Sequence, residues 1–162
     1  MARTAGIGRF ALNQHRRGDI IAKKEIYLVP VDFSVGSDRA FDYALRFARA
    51  RSARLVALHV VPGELIYPPA GGRIDFYAML ERDAREKYNR LVKRKGVKPR
   101  ECELRLARGA GFADEIVKVA NKLRATMIIM GSHGRTGLPR LLIGSVAERT
   151  LRYAKCPVLI VK

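Results

Sequence analysis

The chain has 162 residues, 48% hydrophobic and 29% charged, with a formal net charge of +17; that length and balance suit one globular domain with a substantial core. No apolar stretch approaches the ~20 residues that span a bilayer, and Arg3, Arg9, Arg16 and Arg17 occupy the segment where a secretory signal needs an apolar centre. The expectation is therefore a soluble, cytoplasmic protein.

Residues 1 to 24 read as a basic, disordered N-terminal arm; with Asp19 as its one acid, an Arg-rich targeting peptide is the alternative. The run Ile26 to Val31 is rich in β-formers and stops at Asp32-Phe33-Ser34, so it predicts a buried strand. In "SDRAFDYALRFARARS" the residues Phe41, Ala44, Leu45 and Ala48 recur at helical spacing, with Ser37 or Asp38 as the expected N-cap. Arg54 to Val61 predicts a second strand, and strand, helix, strand in this order makes a right-handed parallel βαβ unit. Residues 62 to 73, with three prolines and three glycines, predict a surface loop.

The next helix carries Tyr77, Leu80, Ala84, Tyr88 and Leu91 on one stripe, with Gly96 as C-cap. Alternation of Cys102, Leu104 and Leu106 with charged residues predicts an edge strand. A helix with Phe112, Ile116, Ala120 and Leu123 inward follows, then a buried strand over Thr126 to Met130. After a glycine-rich loop, a helix with Val146, Ala147, Thr150, Leu151 and Ala154 inward leads to the last strand, "PVLIVK". This order predicts an α/β fold: an open five-stranded parallel sheet with helices on both faces. Ligands of such sheets bind beyond the strand C-termini, where the winding direction reverses. Asp32, the end of the second strand at His59-Val60-Val61 and the glycine loop should meet there.

The loop runs Gly131-x2-Gly134-x9-Gly144-Ser145. Gly131 and Gly134 can adopt left-handed backbone angles and lack the Cβ that would hold a ligand off; successive N–H groups in such a turn form an anion-binding concavity. Gly144-Ser145 opens a helix whose unpaired N–H groups favour a phosphate. The spacing is neither GxxxxGK[ST] nor GxGxxG, and no lysine lies between Gly131 and Ser145. Taken by themselves, these residues leave a phosphate cradle and a plain steric turn as alternatives.

With "VPVDFS" (29 to 34), "LHVV" (58 to 61), "MGSHGRTGL" (130 to 138) and "CPVLIVK" (156 to 162), the long-gap glycine pattern resembles that of the ATP-binding universal stress proteins. The resemblance covers residues 25 to 162. It implies a Rossmann-like, adenine nucleotide alpha hydrolase-like fold that binds ATP or AMP with Mg2+. Pro30, Val31 and Asp32 would meet adenine and ribose, Val60 would border the base, and Met130 and Gly131 would contact the nucleoside. His133, Gly134, Gly144, Ser145 and Val146 would line the phosphates. Apart from the resemblance, Arg135 and Arg140 lie within the loop and could contact phosphate in forked geometry, or are the exposed arginines expected on so basic a protein. The family's usual homodimer, paired through the last strand, is implied as well. Two departures are Ala147, where some ATP-binding members carry a hydroxyl residue, and Ala125-Thr126, where an acid is commoner.

Each residue also has a plainer reading. Asp32 can cap the following helix, although Ser34 and Ser37 lie closer to it; His133 has no acid or nucleophile partner near it in sequence and reads as structural or phosphate-adjacent rather than catalytic, and His59, at the end of a buried strand, reads as a hydrogen-bonded core residue. No catalytic residue or protein-held metal site stands out, and with no general base or lysine clamp any ATP hydrolysis is expected to be slow. Cys102 and Cys156, in no zinc-binding spacing, read as reduced and buried. An ATP-cleaving enzyme on the same fold is the rival reading, but the SGGxDS and HxGH strings that such relatives carry do not occur.

The charge itself supports another alternative. Residues 1 to 81 hold 12 Lys+Arg against 8 Asp+Glu, and residues 82 to 162 hold 20 against 7. The second half is thus +13, a field that attracts nucleic acid or another polyanion, or is simply a solvated surface.

Overall fold

The alternating apolar and amphipathic stretches become β1 (Ile26–Pro30), α1 (Val35–Ala50), β2 (Arg54–Pro62), α2 (Phe76–Arg94), β3 (Cys102–Gly109), α3 (Phe112–Leu123), β4 (Met127–Gly131), α4 (Ser145–Tyr153) and β5 (Val158–Val161). These elements belong to a computed structural model that describes residues 24–63, 76–134 and 143–162. Residues 1–23 of the N-terminal arm, most of the Pro/Gly-rich loop, and Arg135 and Arg140 lie outside the described residues.

The strands form one sheet in the order β3-β2-β1-β4-β5, and all four pairings are parallel. β3 is an edge, as its alternation predicts, and β5 is the other edge. The chain steps outward from β1 to β3, then returns to β4 on the opposite side, so winding reverses between β1 and β4. Parallel strands buried on both faces need apolar residues at every position. Accordingly Val29 packs with Phe41, Tyr88 and Leu91 toward α1 and α2, while its neighbour Leu28 packs with Ile116 and Ala147 toward α3 and α4. Each fully buried side chain of this size contributes about 1.5–3 kcal/mol.

Several expectations are corrected. α1 starts at Val35 with Ser34, rather than Ser37 or Asp38, as N-cap: Ser34 Oγ accepts from Ser37 N at 3.3 Å. Ser37 is buried, and its hydroxyl donates to Ser34 O at 3.1 Å. Phe112 is 43% exposed, because the first residue of α3 projects past the end of the sheet; Ala113 joins Ile116 and Ala120 as the inward set. Leu151 is 48% exposed. α4 buries Ala147 and Thr150, and it stands at the β5 edge of the sheet, where among the described residues no further strand takes up the flank of its apolar stripe. Cys102 is buried, its thiol pushed up to about 11 chiefly by desolvation; Cys156 is only half-buried, and desolvation raises its thiol as well. Gly96 does take the left-handed angle of a C-cap, φ 60°. Among the described residues no helix is long and apolar enough to cross a membrane.

Candidate functional site

At the winding reversal the segments after β1 and β4 lie side by side. Beyond β1, Val31 N donates to Leu58 O at 2.8 Å, which keeps the chain on the sheet for one more residue. Asp32 then turns it: Asp32 Oδ1 accepts from Ser34 N at 3.0 Å and from Ser34 Oγ at 2.6 Å. Between them Phe33 adopts φ 63°, a left-handed conformation that costs a bulky residue of order 1–3 kcal/mol and is typical of functional turns. The Phe33 ring lies over His59, centroids 4.9 Å apart, and His59 Nδ1 donates to Val31 O at 2.7 Å. His59 is therefore the hydrogen-bonded residue its sequence context suggests. Asp32 serves the turn with one oxygen and faces the glycine loop with the other.

The glycines have steric reasons that the backbone angles do not supply: among the described residues Gly96 alone has positive φ among glycines, so Gly131, Gly134 and Gly144 are not left-handed. A Cβ on Gly131 would stand 2.9 Å from the backbone of Gly36, and one on Gly36 would stand 2.6 Å from His133 O. The first turn of α1 thus presses directly on the chain leaving β4. A Cβ on Gly134 would meet Asp32 Oδ2 at 2.9 Å, and one on Gly144 would meet Ser132 O at 3.2 Å. Gly144 N donates to Ser132 O at 2.8 Å, which folds the end of the loop back against its beginning.

Gly144 is the N-cap of α4 and offers no side-chain cap, so the N–H groups of Ser145, Val146 and Ala147 point out of the helix start at the positive end of its dipole, with no partner among the described residues. The site also holds an orphan: His133 Nδ1 pairs with Ser132 Oγ at 2.9 Å, while His133 Nε2 is buried without a partner among the described residues. A native structure rarely leaves such an atom unsatisfied unless a ligand or water meets it.

These parts wall a cleft of about 690 Å³ above the strand C-termini. Pro30, Val31, Asp32, Val60, Met130, Gly131, His133, Gly134, Gly144, Ser145 and Val146 all line it; Arg135 lies outside the described residues. Ala147 lines it too and is 3% exposed. The sequence reading missed Ser132, Leu80, Asp83 and Lys87 of α2, and Phe112 and Ile116 of α3. Asp83 and Lys87 form an i,i+4 pair at 2.5 Å, which in sequence reads as an ordinary solvated face; only the docking of α2 beside β2 brings them to the cleft wall. A lysine thus does border the cleft, from a helix rather than from the glycine loop.

The arrangement combines apolar walls at Val60 and Met130, a carboxylate at Asp32, a half-buried imidazole at His133 and an anion-ready helix start. An adenine nucleotide has the matching parts: a flat apolar base, ribose hydroxyls that donate to a carboxylate, and phosphates. No three His, Cys, Asp or Glu side chains gather to hold a metal among the described residues. A magnesium ion here would be held mainly by phosphate oxygens and water, as is usual for this cation.

The model of the universal stress protein family matches residues 25–162. The chain belongs to that family. It is 36% identical over 152 residues to the universal stress protein MJ0531 of Methanocaldococcus jannaschii, covering 91% of this chain and 86% of that one. Among solved structures it is similar to a universal stress protein from Archaeoglobus fulgidus in complex with dAMP, at TM-score 0.62 and 26% identity over 86% of this chain and 98% of that one. It is also similar to a universal stress protein in complex with cAMP, at TM-score 0.59 and 28% identity over 85% and 97%. The five-stranded parallel α/β sheet is thus the universal stress protein fold, and the glycine spacing that carried the resemblance is part of its strand-end architecture.

Proposed function

We propose that this universal stress protein binds an adenine nucleotide in the cleft, ATP with Mg2+ or AMP, and acts in the cytoplasm as a nucleotide-gated stress-response or signalling module. The observation that carries this reading is Asp32 Oδ2 placed where a Cβ on Gly134 would stand only 2.9 Å away, beside a helix start without a side-chain cap and a His133 Nε2 with no partner among the described residues. The base lies against Val60 and Met130, Asp32 accepts from the ribose, and the N–H groups of Ser145 and Val146 with His133 Nε2 hold the phosphates. The dAMP and cAMP complexes of similar proteins support the ligand class. Hydrolysis is slow at most: among the described residues His59 is engaged with Val31 O and the Lys87 ammonium with Asp83, so neither the imidazole nor the lysine is poised for chemistry at the phosphates.

The protein forms a homodimer by pairing β5 across a two-fold axis. Val158 to Val161 are all half-buried at a sheet edge, and pairing would cover that edge. Isothermal titration with ATP, AMP and GTP, with and without magnesium, tests the nucleotide reading. Saturable 1:1 binding of an adenine nucleotide per chain is expected, and equal affinity for GTP or no binding to any of the three overturns it.

A further inference from the structure

In an all-parallel sheet every strand N-terminus and every helix C-terminus lies at the edge away from the cleft. In this protein that edge collects charge of one sign. Among the described residues its three acids are each engaged: Glu101 with Arg49 at 2.8 Å, Glu25 with Arg51 at 2.8 Å, and Glu103 with Arg54 and Arg105. Six further cations stand on the same edge: Lys24 before β1, Lys98 and Arg100 before β3, Lys122 and Arg124 at the end of α3, and Lys155 before β5. All six are exposed, and none forms an ion pair among the described residues. Hydrogen bonds tie the rim together, with Arg54 N to Glu25 O and Thr126 N to Ile26 O, each at 2.8 Å. The cations are therefore mounted on rigid backbone. Complementarity to helix dipoles accounts for Lys122 and Arg124, whereas Lys24, Lys98 and Arg100 stand in connecting segments outside every described helix.

We infer that this rim is a docking surface for the phosphodiester backbone of nucleic acid, bound without sequence preference. From β3 to β5 the cations run across four strand intervals of ~4.8 Å, roughly 20 Å in all. A duplex presents phosphates over that length every ~3.4 Å on each strand. Among the described residues the rim carries no array of aromatic side chains, so it contacts phosphates rather than base edges. An anionic membrane fits less well, because interfacial binding pairs cations with inserted apolar side chains; of the exposed large apolar residues, Tyr153 at the end of α4 is the one at this edge. The rim lies opposite the cleft, so it stands independently of the nucleotide reading.

The test is fluorescence anisotropy of the full chain with a labelled duplex of about 20 base pairs, and with RNA of the same length, between about 50 and 200 mM salt. The variant K98Q/R100Q/K122Q/K155Q is compared with R39Q/R46Q/R82Q/R85Q, which removes the same charge from exposed, unpaired positions on α1 and α2. The rim variant should lose at least about tenfold in affinity relative to the control, and its slope of log K against log salt on the duplex should fall by about 3.6, at ~0.9 for each of the four phosphate contacts removed. Unchanged circular dichroism and melting temperature show that both variants fold. Equal losses in the two variants, no binding by wild type at the lower salt, or tighter binding to phosphatidylglycerol vesicles than to either nucleic acid overturns the inference.

Discussion

Replacing Gly134 by Ala separates ligand geometry from fold at the level of one methyl group. Gly134 is exposed and its φ is not left-handed, so the backbone accepts alanine without strain. The new Cβ would nevertheless stand 2.9 Å from Asp32 Oδ2, closer than a carbon tolerates. Asp32 cannot swing away freely, because its other oxygen is held by Ser34 N and Ser34 Oγ at 3.0 and 2.6 Å. Displacing the carboxylate breaks one hydrogen bond to a charged group, worth about 1.5–3 kcal/mol, so adenine nucleotide affinity should fall about ten- to a hundredfold at 1.4 kcal/mol per decade. The melting temperature should hardly change. Gly131→Ala is the opposite case: its Cβ would meet the backbone of Gly36 at 2.9 Å, where no rotamer can yield. Overpacking of that kind costs about 1–3 kcal/mol, roughly 2–12 °C in melting temperature for a chain of this size. Calorimetric titration and differential scanning calorimetry read both variants. Full nucleotide affinity in Gly134→Ala, or an undiminished melting temperature in Gly131→Ala, would refute the steric argument.

Ser34→Ala removes the side-chain cap of α1 and should destabilise the protein by about 1 kcal/mol, measured by chemical denaturation; no change would mean that Asp32 alone fixes the turn. Lys87→Gln breaks an exposed i,i+4 pair with Asp83 and should alter stability by under about 0.5 kcal/mol, so a drop in nucleotide affinity measured by titration would show that the lysine contacts the ligand. The carboxyls of Glu25 and Glu101 are held down to about 2 from an ordinary 4.5, chiefly by hydrogen bonds from Arg51 and Arg49. Their folded values lie below their unfolded ones, so the stability they contribute is complete above about pH 4.5 and is lost as pH falls toward about 2. Melting temperature across that window should decline less steeply in Glu25→Gln/Glu101→Gln than in wild type, and identical slopes would contradict the assignment.

Periodicity and punctuation in the sequence carry most of the fold. Continuous apolar runs such as Leu28-Val29 and Ile128-Ile129 can only be strands buried on both faces, and their alternation with amphipathic helices leaves a parallel sheet with its site at the strand C-termini. The glycines at 131, 134 and 144 mark that site because their spacing is local, and every described residue assigned to it does line the cleft. What the spacing does not contain is the reason for each glycine, since Gly36 presses on Gly131 and Asp32 on Gly134 across distant parts of the chain. The left-handed Phe33, the α2 and α3 side of the cleft, and the gathering of Lys24, Lys98, Lys122 and Lys155 on one rim are likewise invisible in order along the chain. A local pattern fixes which face of an element is apolar; which residues become neighbours depends on how the elements dock, and only the tertiary structure decides that.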